Sequence, residues 1–229
     1  MKAKIAKVIE LLNREYGEKK WKKRHDPIDQ LIQTILSQNT SDKNSHAAFI
    51  NLKTRYPTPE SLLKAPEERI AETIRVGGLE NIKAKRIKEV LQAIKSKTQD
   101  LNLFHLEELP AEEALSFLTT LKGVGPKTAA CVLLFSFGKP VLPVDTHIYR
   151  VSKRLGLIGD VDRVKAHEIL QRLVPPEQVY SFHINMIEHG RKICKTKPKC
   201  HECVLRGICE SASNQSTRKT HTETSAVKN

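Results

Sequence analysis

Apolar residues recur every three or four positions along most of this chain. Ile5, Val8, Ile9 and Leu12 share one face of a first helix, which Gly17 can stop. Asp26 is a good N-cap, with Pro27 at the first helical position and Asp29 placed like the acid of a capping box. Ile28, Leu31, Ile32, Ile35 and Leu36 then follow at the spacing of a core stripe. The polar string Ser37-Gln38-Asn39-Thr40-Ser41-Asp42 predicts a turn that caps the next helix. Thr58-Pro59-Glu60 and Ala65-Pro66-Glu67-Glu68 start two more, the second stopping at Gly77-Gly78. Ile87, Val90, Leu91 and Ile94 line a basic helix, and Leu115, Leu118 and Leu121 line another after Pro110. Further helical patterns cover 127–137, 145–155, 160–173 and 177–188. Sustained period-two alternation is missing, so the expected fold is all-α.

Charge adds a partner. The 229 residues carry a formal net charge of +13, which points to a polyanion, most economically nucleic acid. The longest near-apolar stretch, Ala129 to Phe137, is far shorter than the roughly 20 residues needed to cross a bilayer. The N-terminus has no hydrophobic signal core, so a cytoplasmic protein without a membrane partner is expected. Residues 212–229 are almost all polar and read as a disordered tail.

Three segments carry chemistry. In Leu121-Lys122-Gly123-Val124-Gly125-Pro126-Lys127-Thr128-Ala129 a helix ends, Gly-Val-Gly turns, and a second helix starts at Pro126. The unpaired amides at that start sit at the positive end of the helix dipole and can hold a phosphate. A basic side chain fits poorly there electrostatically, which marks Lys127 as an amine nucleophile, an exposed lysine or a phosphate contact. In Val141-Leu142-Pro143-Val144-Asp145-Thr146-His147-Ile148-Tyr149-Arg150, Asp145 is placed to cap the following helix, a contribution of about 1 kcal/mol. His147 reads first as a hydrogen-bonded structural residue. Finally, Cys194, Cys200, Cys203 and Cys209 fall within sixteen residues, in the order Cys-x5-Cys-x2-Cys-x5-Cys. Four thiolates in so short a loop can close around one tetrahedral Zn²⁺ or a [4Fe–4S] cube. Zinc ribbons usually use two Cys-x2-Cys knuckles, and the wide, unequal gaps here suit the larger group. Cys131 reads as a buried, apolar-like thiol.

Together the three segments resemble the endonuclease III family of DNA base-excision glycosylases, from about Ile28 to Cys209. Leu-x-Gly-Val-Gly-x-Lys-Thr-Ala followed by Val-Asp-Thr-His-Ile-x-Arg-Val and four cysteines carries the likeness. The resemblance implies two helical lobes with the active site in the cleft between them. A six-helix lobe with the helix-hairpin-helix would span 26–139, and an iron–sulfur lobe would combine 1–25 with 140–211. It implies Lys127 as nucleophile, Asp145 as second catalytic group, and a [4Fe–4S] cluster on the four cysteines. The damaged base is swung out of duplex DNA, and a Lys Schiff base lets β-elimination nick the strand. Relatives without this lysine are glycosylases only, so the bifunctional glycosylase/AP lyase class follows, with oxidised pyrimidines as first substrates and a single copy of the chain near the nucleoid. Gln38 or Asn39 would fill the gap left by the flipped base, and Leu79 would wedge into the stack. Lys122, Gly123, Val124 and Gly125 would contact the DNA backbone. Glu80 follows Leu79 where an aromatic residue is common, and the first cysteine gap has five residues where six is usual. The alternatives are a mismatch or oxidised-purine glycosylase on the same scaffold, and a zinc-stapled module that only binds DNA.

Overall fold

The computed structural model describes residues 1–23 and 25–213; the tail expected over 212–229 lies outside the described residues from 214 onward. The described residues form eleven α-helices and a last helical turn over 210–213, with no β-strand. In chain order they are α1 (Lys2–Tyr16), α2 (Pro27–Leu36), α3 (Asp42–Arg55), α4 (Pro59–Lys64), α5 (Glu67–Ile74) and α6 (Glu80–Thr98). Then come α7 (Ala111–Thr119), α8 (Pro126–Phe137), α9 (Thr146–Leu155), α10 (Arg163–Leu173) and α11 (Val179–Lys192). They fall into two compact units. The mid-chain unit is Lys22–Pro143, and the terminal unit joins Met1–Trp21 to the chain from Val144 onward. No helix is long and apolar enough to cross a membrane, among the residues described.

In the mid-chain unit, local chemistry sets the helix starts. The Asp26 carboxylate accepts the Ile28 N–H at 3.0 Å, and Pro27 fills a first position whose N–H would be unpaired anyway. Asp29 does not close a capping box. It accepts from the Lys53 ammonium at 2.9 Å and so ties α2 to α3. Ser41 caps α3, while Thr58 and Ser61 cap α4 reciprocally. After α5 the chain tightens into a 3₁₀ turn, Arg75–Gly77. Gly77 allows that turn to lie on α3, since a Cβ there would come within 3.1 Å of the Ala48 Cβ.

The core of this unit is built around α8, which is buried without a break from Thr128 to Ser136. A helix apolar on every side belongs in an interior. The stripe of α2 and the apolar face of α7 pack against it.

The terminal unit is closed by its own ends. Ile5, Val8, Ile9 and Leu12 of α1 are buried, and α1 packs on α11. Beside them the fully buried Asn185 donates to Asn13 Oδ1 and to the Gly17 carbonyl, both at 3.0 Å, while the Ser181 hydroxyl donates to Asn13 Oδ1 at 2.9 Å. The Asn185 amide nitrogen is thus paired while its own Oδ1 has no partner among the described residues, and the pairing fixes which part of α11 receives α1. Two helix starts differ from the sequence pattern by two residues or more, and α11 runs on to Lys192, past the end expected at 188. Asp162 rather than Asp160 starts α10, accepting the Lys165 N–H at 2.8 Å, because Asp160 is drawn to the Lys153 ammonium at 2.5 Å. Pro175 and Pro176 hold the next residues in a 3₁₀ turn, so α11 begins at Val179.

Candidate active site and cysteine loop

The turn between α7 and α8 is shaped by Gly123, whose φ of +86° lies in the left-handed region. Val124 donates its N–H to the Leu121 carbonyl at 3.0 Å and is 5% exposed, so its side chain packs inward rather than standing at the surface. Gly123 and Gly125 stay exposed. Gly125 is an extended N-cap with no side chain to offer, Pro126 has no N–H, and the Ala129 N–H bonds back to the Gly125 carbonyl at 3.0 Å. The N–H groups of Lys127 and Thr128 therefore have no acceptor among the described residues. This end of α8 is a bare, positive, anion-seeking surface. The Lys127 side chain is half-buried, and its amine makes no hydrogen bond or ion pair among the described residues. Cys131, one turn further on, is buried.

Two more loops of the same unit carry the other expected contacts. Gln38 is half-buried, with its amide oxygen accepting from Arg86 Nη1. Asn39 is exposed at a φ of +52°. Leu79 also has a φ of +52° and is 47% exposed, flanked by exposed Val76 and Ile82. Lys122 reaches Glu89 at 3.2 Å while remaining mostly in solvent.

In the terminal unit, Asp145 is the N-cap of α9. Its Oδ1 accepts the N–H groups of His147 at 2.9 Å and Ile148 at 2.8 Å, while Oδ2 has no partner among the described residues. The cap orients the carboxylate and leaves one oxygen open. His147 is structural: its Nδ1 lies 3.1 Å from Arg150 Nη2, and a Cβ on Gly190 would come within 2.9 Å of its own Cβ. Arg150 also donates to the carbonyls of Cys194 and Gly190, each at 2.9 Å. Arg154, one turn later, reaches the Cys194 sulfur at 3.4 Å and the Thr196 carbonyl at 2.9 Å. Two arginines thus fasten the helix that Asp145 caps to the cysteine loop.

All four loop cysteines are half-buried. Burial pushes the Cys203 thiol up to about 11, with Cys194, Cys209 and Cys200 adding to the rise; burial raises Cys209 as well. As free thiols Cys203 and Cys209 would stay protonated, whereas a bound metal draws off the protons and takes thiolates as ligands. Among the described residues no three His, Cys, Asp or Glu side chains converge on a point suited to one metal ion. A cube spreads its thiolates over four irons, and an all-sulfur donor set of four fits that group. Sequence reasoning passed over Lys83, Arg86, Arg154 and Gly190. One signal was available: Lys83 stands at i−4 from Ile87 and i−7 from Val90, on the apolar stripe of α6.

An all-helical chain with a glycine hairpin opening onto bare helix amides is of the helix-hairpin-helix class. Comparison with known proteins gives the family. Residues 32–176 match the HhH-GPD superfamily base excision DNA repair proteins. The chain is 38% identical over 207 residues to Endonuclease III of Thermotoga maritima, covering 89% of this chain and 92% of that protein. It is 39% identical over 184 residues to Endonuclease III of Sulfolobus acidocaldarius, covering 79% and 80%. Among solved structures, a non-covalent endonuclease III–DNA complex matches with a TM-score of 0.81 at 29% identity, covering 95% of this chain and 99% of that one. A trapped endonuclease III–DNA covalent intermediate matches with a TM-score of 0.82 at 29% identity, covering 94% and 99%. The chain belongs to the HhH-GPD superfamily of base excision DNA repair proteins and is a DNA glycosylase.

Proposed function

We propose that the protein is a bifunctional DNA glycosylase and AP lyase acting on double-stranded DNA with damaged bases, oxidised pyrimidines first. The observation that carries this reading is Lys127: a half-buried amine without a partner among the described residues, in the first turn of an uncapped helix. A lysine kept only for charge would gain by pairing with an acid. One kept as a nucleophile must stay unpaired.

The bare amides of Lys127 and Thr128, with those of Gly123 and Gly125, hold a phosphate of the damaged strand. The base is unstacked at a cost of a few kcal/mol, which Asn39 or Gln38 offsets by filling the gap and Leu79 by wedging the stack. The neutral Lys127 amine then attacks C1′. The C1′–N bond breaks, its electron pair leaves with the base, and the base takes up a proton. The open oxygen of Asp145 stabilises the positive charge growing on the sugar, and such preorganised electrostatics are usually the largest single catalytic contribution. The attached amine gives up a proton, the C1′–O4′ bond breaks with O4′ taking up a proton, and the protonated Schiff base that results makes the C2′ proton acidic. Its loss breaks the C3′–O bond, and the downstream strand leaves with its 5′-phosphate.

Cys194, Cys200, Cys203 and Cys209 would hold a [4Fe–4S] cluster. When bound, it supplies a structural cross-link for the loop that Arg150 and Arg154 fasten to α9. Purified without oxygen, the protein should be yellow-brown with about four irons per chain; a colourless protein holding one zinc would replace the cube by a staple.

Borohydride trapping tests the reaction. The protein is mixed with duplex DNA holding one abasic site and reduced. A covalent adduct that is lost in Lys127→Ala supports the lyase. Lack of an adduct with the wild type, alongside tight duplex binding, supports a module that only binds DNA. A panel of duplexes, each with one defined damaged base, separates oxidised pyrimidines from oxidised purines and mismatches.

A further inference from the structure

Three loops of the mid-chain unit are set against DNA by the proposed function, and α6 meets each of them with a different polar side chain. Lys83, in the first turn of α6, is 2% exposed. Its ammonium donates to the Leu36 carbonyl at 2.8 Å and to the Gly77 carbonyl at 2.9 Å. Leu36 is the last residue of α2, and Gly77 is the last of the 3₁₀ turn. One cation therefore satisfies carbonyls at the negative ends of two helical segments. Asn39 lies just past the first carbonyl and Leu79 just past the second.

Both Asn39 and Leu79 sit at a φ of +52°, and they are two of the three non-glycine residues with positive φ among those described. Asparagine adopts that conformation readily, whereas a leucine holds it only where the surroundings impose it. One turn along α6, Arg86 donates to the Gln38 amide oxygen. Its side chain also lies along the hairpin, so that a Cβ on Gly123 would come within 3.1 Å of Cγ and 3.2 Å of Cδ. A further turn on, Glu89 meets Lys122 at 3.2 Å. That last pair is exposed and contributes little. Lys83 differs, because burying an ammonium is expensive and an apolar residue would continue the stripe of Ile87, Val90, Leu91 and Ile94.

We propose that Lys83 and Arg86 are positioning residues for base flipping. Lys83 sets the separation of the gap-filling loop and the wedge loop, and Arg86 ties the gap-filling loop to the hairpin. Neither touches the reacting atoms. Both hold Asn39, Gln38 and Leu79 where an extruded base leaves its vacancy. The proposal rests on the glycosylase/lyase reading and deepens it.

The test compares two reactions that differ in whether a base must be flipped. Single-turnover excision of a damaged base from a duplex is measured beside cleavage of a preformed abasic site in the same sequence, with melting temperatures for every variant. Lys83→Met keeps the length of the side chain and removes its charge. It should slow excision about a hundredfold, the size of loss that a misplacement of about 1 Å far from the chemistry can cause, here of the gap-filling and wedge loops, while abasic-site cleavage, whose reacting groups Lys83 does not position, stays close to wild type. Arg86→Met should act in the same direction more weakly, and Arg86→Lys should restore most of the loss. Loss of both reactions in step with a lowered melting temperature would make the two residues merely structural and overturn the proposal. Unchanged excision in both variants would overturn it equally. If Lys83→Met does not fold, the Arg86 pair decides alone. A wild type that neither excises nor cleaves refutes the proposed function itself, and this inference with it.

Discussion

Helices α8 and α9 begin in opposite ways. The start of α9 is closed by the chain itself, with Asp145 spending one carboxylate oxygen on the amides of His147 and Ile148. The start of α8 is left open: a glycine for a cap, a proline without an N–H, a lysine in the first turn. Omitting a cap costs about 1 kcal/mol. Truncating one buried leucine of α8 would cost about 2–5 kcal/mol, and α8 has a continuous run of nine buried residues. The open end is therefore tolerated because the body of the helix is so well anchored. A helix start satisfied by its own acid cannot recruit an outside anion, whereas a bare one can. Their supports differ too. The mid-chain core holds α8, and Arg150 and Arg154 rope α9 to the cysteine loop.

The largest effect that would sharpen this contrast is at Lys127. Lys127→Ala should abolish excision and strand nicking yet move stability by no more than about 0.5 kcal/mol, since the amine has no partner among the described residues to lose. Excision assays beside thermal melting check both halves. Next comes Asp145, where cap and catalyst separate. Asn can still cap, so Asp145→Asn should melt like the wild type, while Asp145→Ala loses about 1 kcal/mol. Excision should fall about 10²–10³-fold in both. If the four cysteines hold the proposed cluster, its removal should raise hydrogen exchange in α9 and the cysteine loop while α8 keeps its protection; loss of protection in α8 as well would break the distinction between the two supports. The smallest effect is expected at the hairpin. Gly123→Ala forces a side chain into a left-handed conformation for about 1–2 kcal/mol and displaces Arg86, weakening duplex affinity at unchanged salt.

Most of the helices could be read from the chain because their causes are local. Asp26, Ser41 and Thr58 cap where their sequence positions imply, and Gly17 ends α1. The misplacements come from side-chain partners that the helix pattern does not show, one 24 residues away and the other 7. Asp29 and Asp160 look like helix-start acids until Lys53 and Lys153 come within reach. Lys127, Asp145 and the cysteines stood out because their motifs are contiguous. Lys83 did not: its partners, at Leu36 and Gly77, lie 47 and 6 residues away and are backbone carbonyls that carry no sequence signature. Arg154 was overlooked for the same reason, since its bonds run to the loop some 40 residues on. What chemistry demands of one short segment is visible in sequence, whereas what one segment does for another needs coordinates.

That Lys127 is the nucleophile is tested most directly by locating the bond it forms. The borohydride-reduced adduct with an abasic duplex is digested with nuclease and protease, and the modified peptide is sequenced by mass spectrometry. The sugar remnant should be found on the Lys127 amine alone. A remnant on Lys122, on the N-terminal amine or on any other lysine, with Lys127 unmodified, would contradict the assignment.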